Sequence, residues 1–345
     1  MIQRTPARIE AHLADEDRSW QQLLAESITS PVELLRRLEL QPEHWLPGAI
    51  AGHELFPVRV PEPFLARMKK GDPGDPLLRQ VLPLQAETLE VAGFVRDPLE
   101  ENGAIQTTGL IRKYHSRALL MITGQCAINC RYCFRRHFPY AEQRMSPEDR
   151  QQVIDTLAAS PEVNEVIFSG GDPLAASDRL LSQWASAISG VPHIRRLRLH
   201  TRLPVVIPQR VCDALLEWLS RIPVQVVMVL HINHPAEIDV ATRKALSFLR
   251  AAGVTLLNQS VILRGVNDDA DVLEELSESL FDAGVLPYYL HSFDPVEGAH
   301  HYDVADGEAR ALVRELLVRL PGFLVPKLVR EIPGRESKTP VDLFP

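Results

Sequence analysis

The chain has little cysteine, four residues in 345, and three of the four are crowded together, which rules out the disulfide framework of a small secreted protein. Long hydrophobic runs are missing too. No apolar stretch approaches the roughly 20 residues of a membrane span, and Met1-Ile2-Gln3-Arg4-Thr5 leads into polar residues with no signal-peptide core. A soluble cytoplasmic protein is expected, in a reducing compartment that suits thiolates. An excess of positive charge is lacking as well: the formal charge of −8 argues against a general nucleic-acid binder. Internal repeats and low-complexity tracts are absent, and the chain is long enough to bury a sizeable core.

What is present begins with Cys126, Cys130 and Cys133. Three thiolates so spaced can hold a 4Fe-4S cluster and leave one iron without a protein ligand, whereas closed zinc and iron-sulfur sites take four. Cys212, the remaining cysteine, lies far off in an amphipathic segment and reads as a buried apolar residue. A structural zinc site is the competing reading, and it wants a fourth ligand. Arg131, Arg135, Arg136 and His137 surround the last cysteine, either to offset a cluster's negative charge or to grip an anionic substrate.

Residues 1–109 read as a mainly helical accessory region, with helical patterns at 19–27 and 31–40 broken by Pro-rich connections at 57–63 and 72–76. An alternation then begins. Strand-like runs at 118–123, 165–169, 195–200, 224–232, 254–262 and 286–293 are each followed by a helical pattern, at 147–159, 177–188, 208–219, 236–251, 269–281 and 306–320. The predicted fold class is α/β: a partial (β/α)6 barrel over 110–323, with right-handed crossovers and a short segment, 324–345, that holds one more apolar run at 324–332. Functional groups in such barrels gather at the carboxyl ends of strands. The cysteines follow the first strand, Ser169-Gly170-Gly171-Asp172-Pro173 the second, His200-Thr201-Arg202 the third and His231-Ile232-Asn233-His234 the fourth; Gln259 falls in the fifth and Asp294 ends the sixth.

The cysteine spacing after a first strand resembles the radical S-adenosylmethionine superfamily, in which the free iron chelates the methionine part of the cofactor. Ser169, Gly170, Gly171 and Asp172 resemble that superfamily's contact to the methionine amino group, and His231, Asn233, His234 and Gln259 match segments near the adenosyl group. Alone, Lys338 in Pro333-Gly334-Arg335-Glu336-Ser337-Lys338 is a lysine in a solvated tail. Together with Lys113-Tyr114-His115-Ser116-Arg117 and the stretch from Arg202 to Arg210, it resembles the lysine 2,3-aminomutase family. That resemblance implies a Schiff base between Lys338 and pyridoxal 5'-phosphate, whose phosphate Tyr114, Arg117 and Arg202 would serve, and a deoxyadenosyl radical that starts migration of the amino group of L-lysine.

It further implies that Arg135 takes the substrate carboxylate and that Asp294 and Glu331 hold the distal ammonium. Without it, Arg135 is a counter-charge, Asp294 a turn residue before Pro295 and Glu331 a surface group. Within the family the likeness is greatest to the branch that makes (R)-β-lysine for elongation factor P, carried by residues 75–80, 132–142 and 324–331. Its implied partners are the elongation factor P lysine ligase and an external electron donor, and a homo-oligomer is possible. Glu331 stands where longer catabolic enzymes carry Asp, no cysteine follows Cys212 to bind a tail zinc, and Lys113 replaces a common Arg. The alternatives are a catabolic lysine or glutamate 2,3-aminomutase and, from another class, a non-catalytic iron-sulfur electron carrier or redox sensor.

Overall fold

A computed structural model describes residues 18–345, so the first part of the expected accessory region lies outside the described residues. Ten strands form one sheet in sequence order. β1 (Ile105–Thr107) and β2 (Leu110–Ile111) make an antiparallel hairpin on one edge. β3 (Arg117–Thr123), β4 (Glu165–Gly170), β5 (Arg196–Thr201), β6 (Gln225–Leu230), β7 (Thr255–Val261) and β8 (Leu286–His291) run parallel, each beside the next. These are the six expected strands, within two residues at every end. The sheet stays open, with β1 at one edge and β10 (Thr339–Pro340) at the other.

The intervening helices start where local chemistry satisfies their free N–H groups. Ser146 accepts from Asp149 N and Asp149 answers at Ser146 N, with Pro147 opening the helix Pro147–Ala158. Helix Asp178–Ser189 buries Leu181, Trp184, Ala185 and Ile188, the stripe of a helix packed on a sheet. Two expected helices are shorter than their apolar patterns. Residues 208–219 divide into a turn at Pro208–Arg210 and a helix Asp213–Arg221, because Cys212 is extended. In 236–251, Asp239 caps Thr242 N and resets the start to Val240.

The C-terminal segment is the main departure from the sequence reading. The run at 324–332 holds β9 (Lys327–Arg330), which adds to the sheet parallel to β8, and β10 folds back on it antiparallel, so the short segment extends the sheet by two strands. Gly334, at φ +75°, permits the turn between them. Thr339 pairs with Arg330, so the register sets Lys338 beside Glu331.

One continuous buried cluster runs from Trp20 and Leu23 through Leu77, Leu78 and Leu120 to Val285, so the N-terminal helices share the barrel's core. A buried charge locks the two together. Arg131, fully buried inside the cysteine loop, donates to the carbonyls of Gly52 (2.9 Å) and Phe56 and to both oxygens of Glu87, while Arg136 also donates to Glu87. These two arginines are therefore anchors to the accessory region, which is more than a general offset of cluster charge. Removing one partner of a buried ion pair strands the other charge. Glu87→Ala is expected to destabilise the protein by about 3–5 kcal/mol, read by equilibrium urea unfolding, and to open the accessory region to limited proteolysis before the barrel.

Candidate active site

The carboxyl ends of the parallel strands converge on one mouth, and its first wall is the cysteine loop. Cys126, Cys130 and Cys133 are free thiols, none of them fully buried by surface area. Burial, and then Cys130, push the Cys133 thiol up to about 11; burial and then Cys133 raise Cys126 well above its usual value. Thiolates here require a strong positive partner, which an iron-sulfur cluster supplies. Among the described residues no group of His, Cys, Asp and Glu is gathered as a ready shell for a single metal ion.

The glycine-rich segment answers to the protein before any ligand. Gly171 N and Asp172 N donate to the carbonyls of Thr123 and Gln125, both at 2.8 Å, lacing the segment onto the chain just ahead of Cys126. A Cβ at Gly170 would run into the Thr123 carbonyl, and one at Gly171 into Gln125. Asp172 is buried and fully engaged, accepting from Thr201 Oγ1 (2.6 Å), Arg202 N (2.8 Å) and Leu174 N (3.0 Å). It fastens β4 to β5. Ser169 Oγ accepts from Arg135 Nη1 at 3.0 Å.

Arg202 requires a correction. Its Nη1 donates to Cys130 Sγ (2.8 Å) and Tyr132 Oη (2.9 Å), and its Nη2 to Gln80 Oε1 (2.7 Å) and Glu237 Oε2 (2.8 Å). These partners are Cys130, its loop neighbour Tyr132, Gln80 and Glu237, so both terminal nitrogens of the guanidinium are turned to the cysteine end and not toward Tyr114 and Arg117, while Nε is buried without a partner. His231 lies in the same network, 2.8 Å from Tyr132 Oη and bonded to the Gln259 backbone, and burial with the nearby Arg202 charge lowers it to about 3, a neutral imidazole. Asn233 Nδ2 donates to Tyr132 Oη (2.7 Å) and Gln80 Oε1 (3.1 Å). His234 instead caps a local turn by accepting from Ala236 N.

The second wall carries Lys338. Its Nζ donates to Glu331 Oε2 at 2.7 Å, and Lys113 pairs with the same carboxylate. Burial pushes Glu331 up, but the two ammonium groups outweigh it and hold the carboxyl well below the usual range. Asp294 is nearby; burial and then the Glu331 charge raise it to about 7. Lys113 bridges onward to Glu101 at 3.3 Å, and Glu101 takes Arg135 in a two-pronged pair, Nε to Oε2 at 2.6 Å and Nη2 to Oε1 at 2.8 Å.

Sequence reasoning thus names Arg135, Asp294, Glu331 and Lys338; the fold links Arg135, Glu331 and Lys338 through ion pairs and sets Asp294 close by. It misses Glu101, Gln80 and Glu237, and leaves Lys113 aside. Tyr114 stacks under the Arg117 guanidinium at 4.1 Å, its buried hydroxyl facing Glu331 outside regular hydrogen-bond geometry. Arg117 has no carboxylate partner among the described residues, which fits it for a phosphate. Lys338 Nζ also lies 5.9 Å from the Tyr289 ring, and His200 Nε2 is buried without a partner beside the Lys338 charge. An amine held by one carboxylate, a guanidinium with no carboxylate partner among the described residues and an aromatic face are groups that pyridoxal phosphate needs.

A three-cysteine loop after the first strand of a partial α/β barrel defines a radical S-adenosylmethionine enzyme, with a 4Fe-4S cluster and S-adenosylmethionine as its working parts. The radical SAM superfamily model matches residues 120–276. L-lysine 2,3-aminomutase of Escherichia coli (strain K12) is 53% identical, over 94% of this chain and 94% of its own length. The enzyme of that name from Haemophilus influenzae is 48% identical over 94% and 96%, and that from Acetoanaerobium sticklandii 33% identical over 96% and 80%. The chain belongs to the lysine 2,3-aminomutase family, a family of isomerases.

Gly171→Ala forces the Gln125 segment, and Cys126 after it, out of place. The variant is expected to fold yet retain less than about half the iron and sulfide of wild type after anaerobic reconstitution, a strain of order 1–3 kcal/mol falling on the ligand loop.

Proposed function

We propose that the protein converts (S)-α-lysine to (R)-β-lysine as a radical SAM, pyridoxal phosphate-dependent 2,3-aminomutase, and that the product serves to modify elongation factor P. The observation that carries this reading is the placing of Lys338 against Glu331 and beside Asp294, with Arg135 linked to them through Glu101 and Lys113. Cys126, Cys130 and Cys133 hold the cluster, which an external donor reduces. Lys338 holds pyridoxal phosphate, and Tyr114 and Arg117 serve its phosphate. When bound, that cofactor supplies a conjugated ring able to delocalise an unpaired electron while nitrogen changes carbon.

The protein's own groups fix the substrate at both ends. Arg135 presents a planar fork to the carboxylate. Glu331 is paired with both Lys338 and Lys113 in the free protein, so once the Lys338 amine is engaged elsewhere one of its two cation places falls vacant, and the ε-ammonium of lysine fills it. Asp294 adds a second carboxylate. A glutamate substrate would bring its side-chain carboxylate to these two acids and be repelled, which favours lysine over the glutamate reading; an electron carrier would have no use for the paired amine site. Glu331 in place of Asp supports the elongation factor P branch over the catabolic one.

Anaerobic reconstitution with iron, sulfide, pyridoxal phosphate, S-adenosylmethionine, reductant and lysine is expected to yield β-lysine, and the partner ligase to transfer it to elongation factor P, seen by intact mass. A reduced cluster that gives no β-lysine sinks the reading. Lys338→Ala is expected to lose the cofactor's imine absorbance while keeping the cluster's. Asp294 supplies a pH test. Its proton leaves near 7, whereas the ε-ammonium of lysine stays charged far above that, so lysine affinity should rise by up to about tenfold between pH 6 and 8. Asp294→Asn should flatten this rise, and an identical profile in both proteins would remove Asp294 from the ammonium site.

A further inference from the structure

Glu101 is a buried carboxylate that neither the cysteine motif nor the Lys338 segment requires. It comes from the far end of the accessory region, on the turn Glu101–Ala104, and that turn is built with care. Glu100 ahead of it sits at φ +50°, a conformation that costs a non-glycine residue free energy. Asp97 accepts from the backbone of Glu101 (3.0 Å) and Asn102 (3.2 Å), pinning the turn in place.

The way it meets Arg135 matters. A guanidinium has five N–H donors. Glu101 takes the Nε and Nη2 side of the fork, and Ser169 takes one donor of Nη1. Two N–H groups remain, one on each terminal nitrogen, and both are available to a second carboxylate. Lys113, 3.3 Å from Glu101 and paired with Glu331, limits the negative charge that an incoming carboxylate would meet.

We propose that Glu101 is a positioning residue for substrate: it locks Arg135 from the side so that the remaining N–H groups of the guanidinium face the α-carboxylate of the amino acid. The accessory region thereby supplies part of the substrate specificity. This rests on the reading of Arg135 as the carboxylate clamp.

The test compares L-lysine with pentane-1,5-diamine, which has both amines and no carboxylate, on reconstituted holoenzyme. In Glu101→Gln the KM for lysine is expected to rise about 10- to 100-fold, the loss of an oriented charged hydrogen-bonding partner, while the inhibition constant of the diamine stays as in wild type. Glu101→Asp, which keeps the charge and draws it back by one methylene, should show the same selectivity with a smaller loss, and it carries the test if the Gln variant does not fold. Cluster absorbance and melting temperature are followed in each. Equal weakening of lysine and diamine reduces Glu101 to scaffold. Unchanged lysine binding removes the role, and tighter binding makes Glu101 a competitor of the substrate; all three overturn the proposal. If wild type binds lysine no better than the diamine, the assignment of Arg135 fails first.

Discussion

A charge taken out of water must be met by another, and in this protein that requirement ties together stretches far apart in sequence. Arg135, Glu101, Lys113, Glu331 and Lys338 form a single chain of ion pairs running from the cysteine loop to the last strand. Each member keeps its neighbours ionised: burial opposes the charge on Glu331 and on Glu101, and the adjacent cations reverse that preference in both. Asp294, adjoining the same chain without an ion pair of its own, shows the opposite outcome, held near 7 by burial and by Glu331. The same surroundings thus maintain two carboxylates in different protonation states, a recurring arrangement where acids and bases must be told apart.

A second buried set does for the cysteine end what this one does for the substrate end. Gln80 accepts from Tyr132, Arg202 and Asn233 and donates to Glu237, and its backbone carbonyl takes Arg131 N at 2.9 Å. Glu87 holds Arg131 and Arg136. The loop that carries the cysteines, residues 124–146, is long and has no regular structure of its own, so its shape depends on these partners. Most of them come from helices and turns that precede the barrel, and the accessory region is in this sense a clamp on the ligand loop. A site placed to within fractions of an ångström needs such support around it.

The barrel was legible because its signals are local. Apolar runs of strand length alternating with amphipathic stripes define βα units, and the crossover rule then arranges them. Site residues at strand ends were legible for the same reason, since Cys126, Asp172, His231 and Asp294 each follow a recognisable strand. What escaped depends on pairing across the chain. Lys338 and Glu331 are both charged and both near the end of the sequence, and only the antiparallel return of β10 on β9 reveals that they are partners. Glu101 and Gln80 lie in segments without periodicity, and nothing local marks a residue whose counter-charge is tens of positions away. The resemblance gave Arg202 to a phosphate, whereas its terminal nitrogens bond to Cys130, Tyr132, Gln80 and Glu237, partners that no local signal in the sequence marks.

The self-paired state of the mouth bears on how tightly it can hold an amino acid. Desolvation of isolated buried charges is severe, and it would oppose binding if Arg135 or Glu331 stood alone in the free protein. Here each already has an internal partner, so on the proposed reading a lysine would exchange one ion pair for another at its ammonium end and add to an existing pair at its carboxylate end. Little reorganisation is then required, because the groups are held in place by neighbours that stay put. On that reading a ligand that lacks either charge would leave one end of the set unmatched, and one with the wrong sign would meet two acids or an occupied guanidinium. Under the proposed function, selectivity for a dibasic amino acid would rest on the order of charges along this chain of ion pairs.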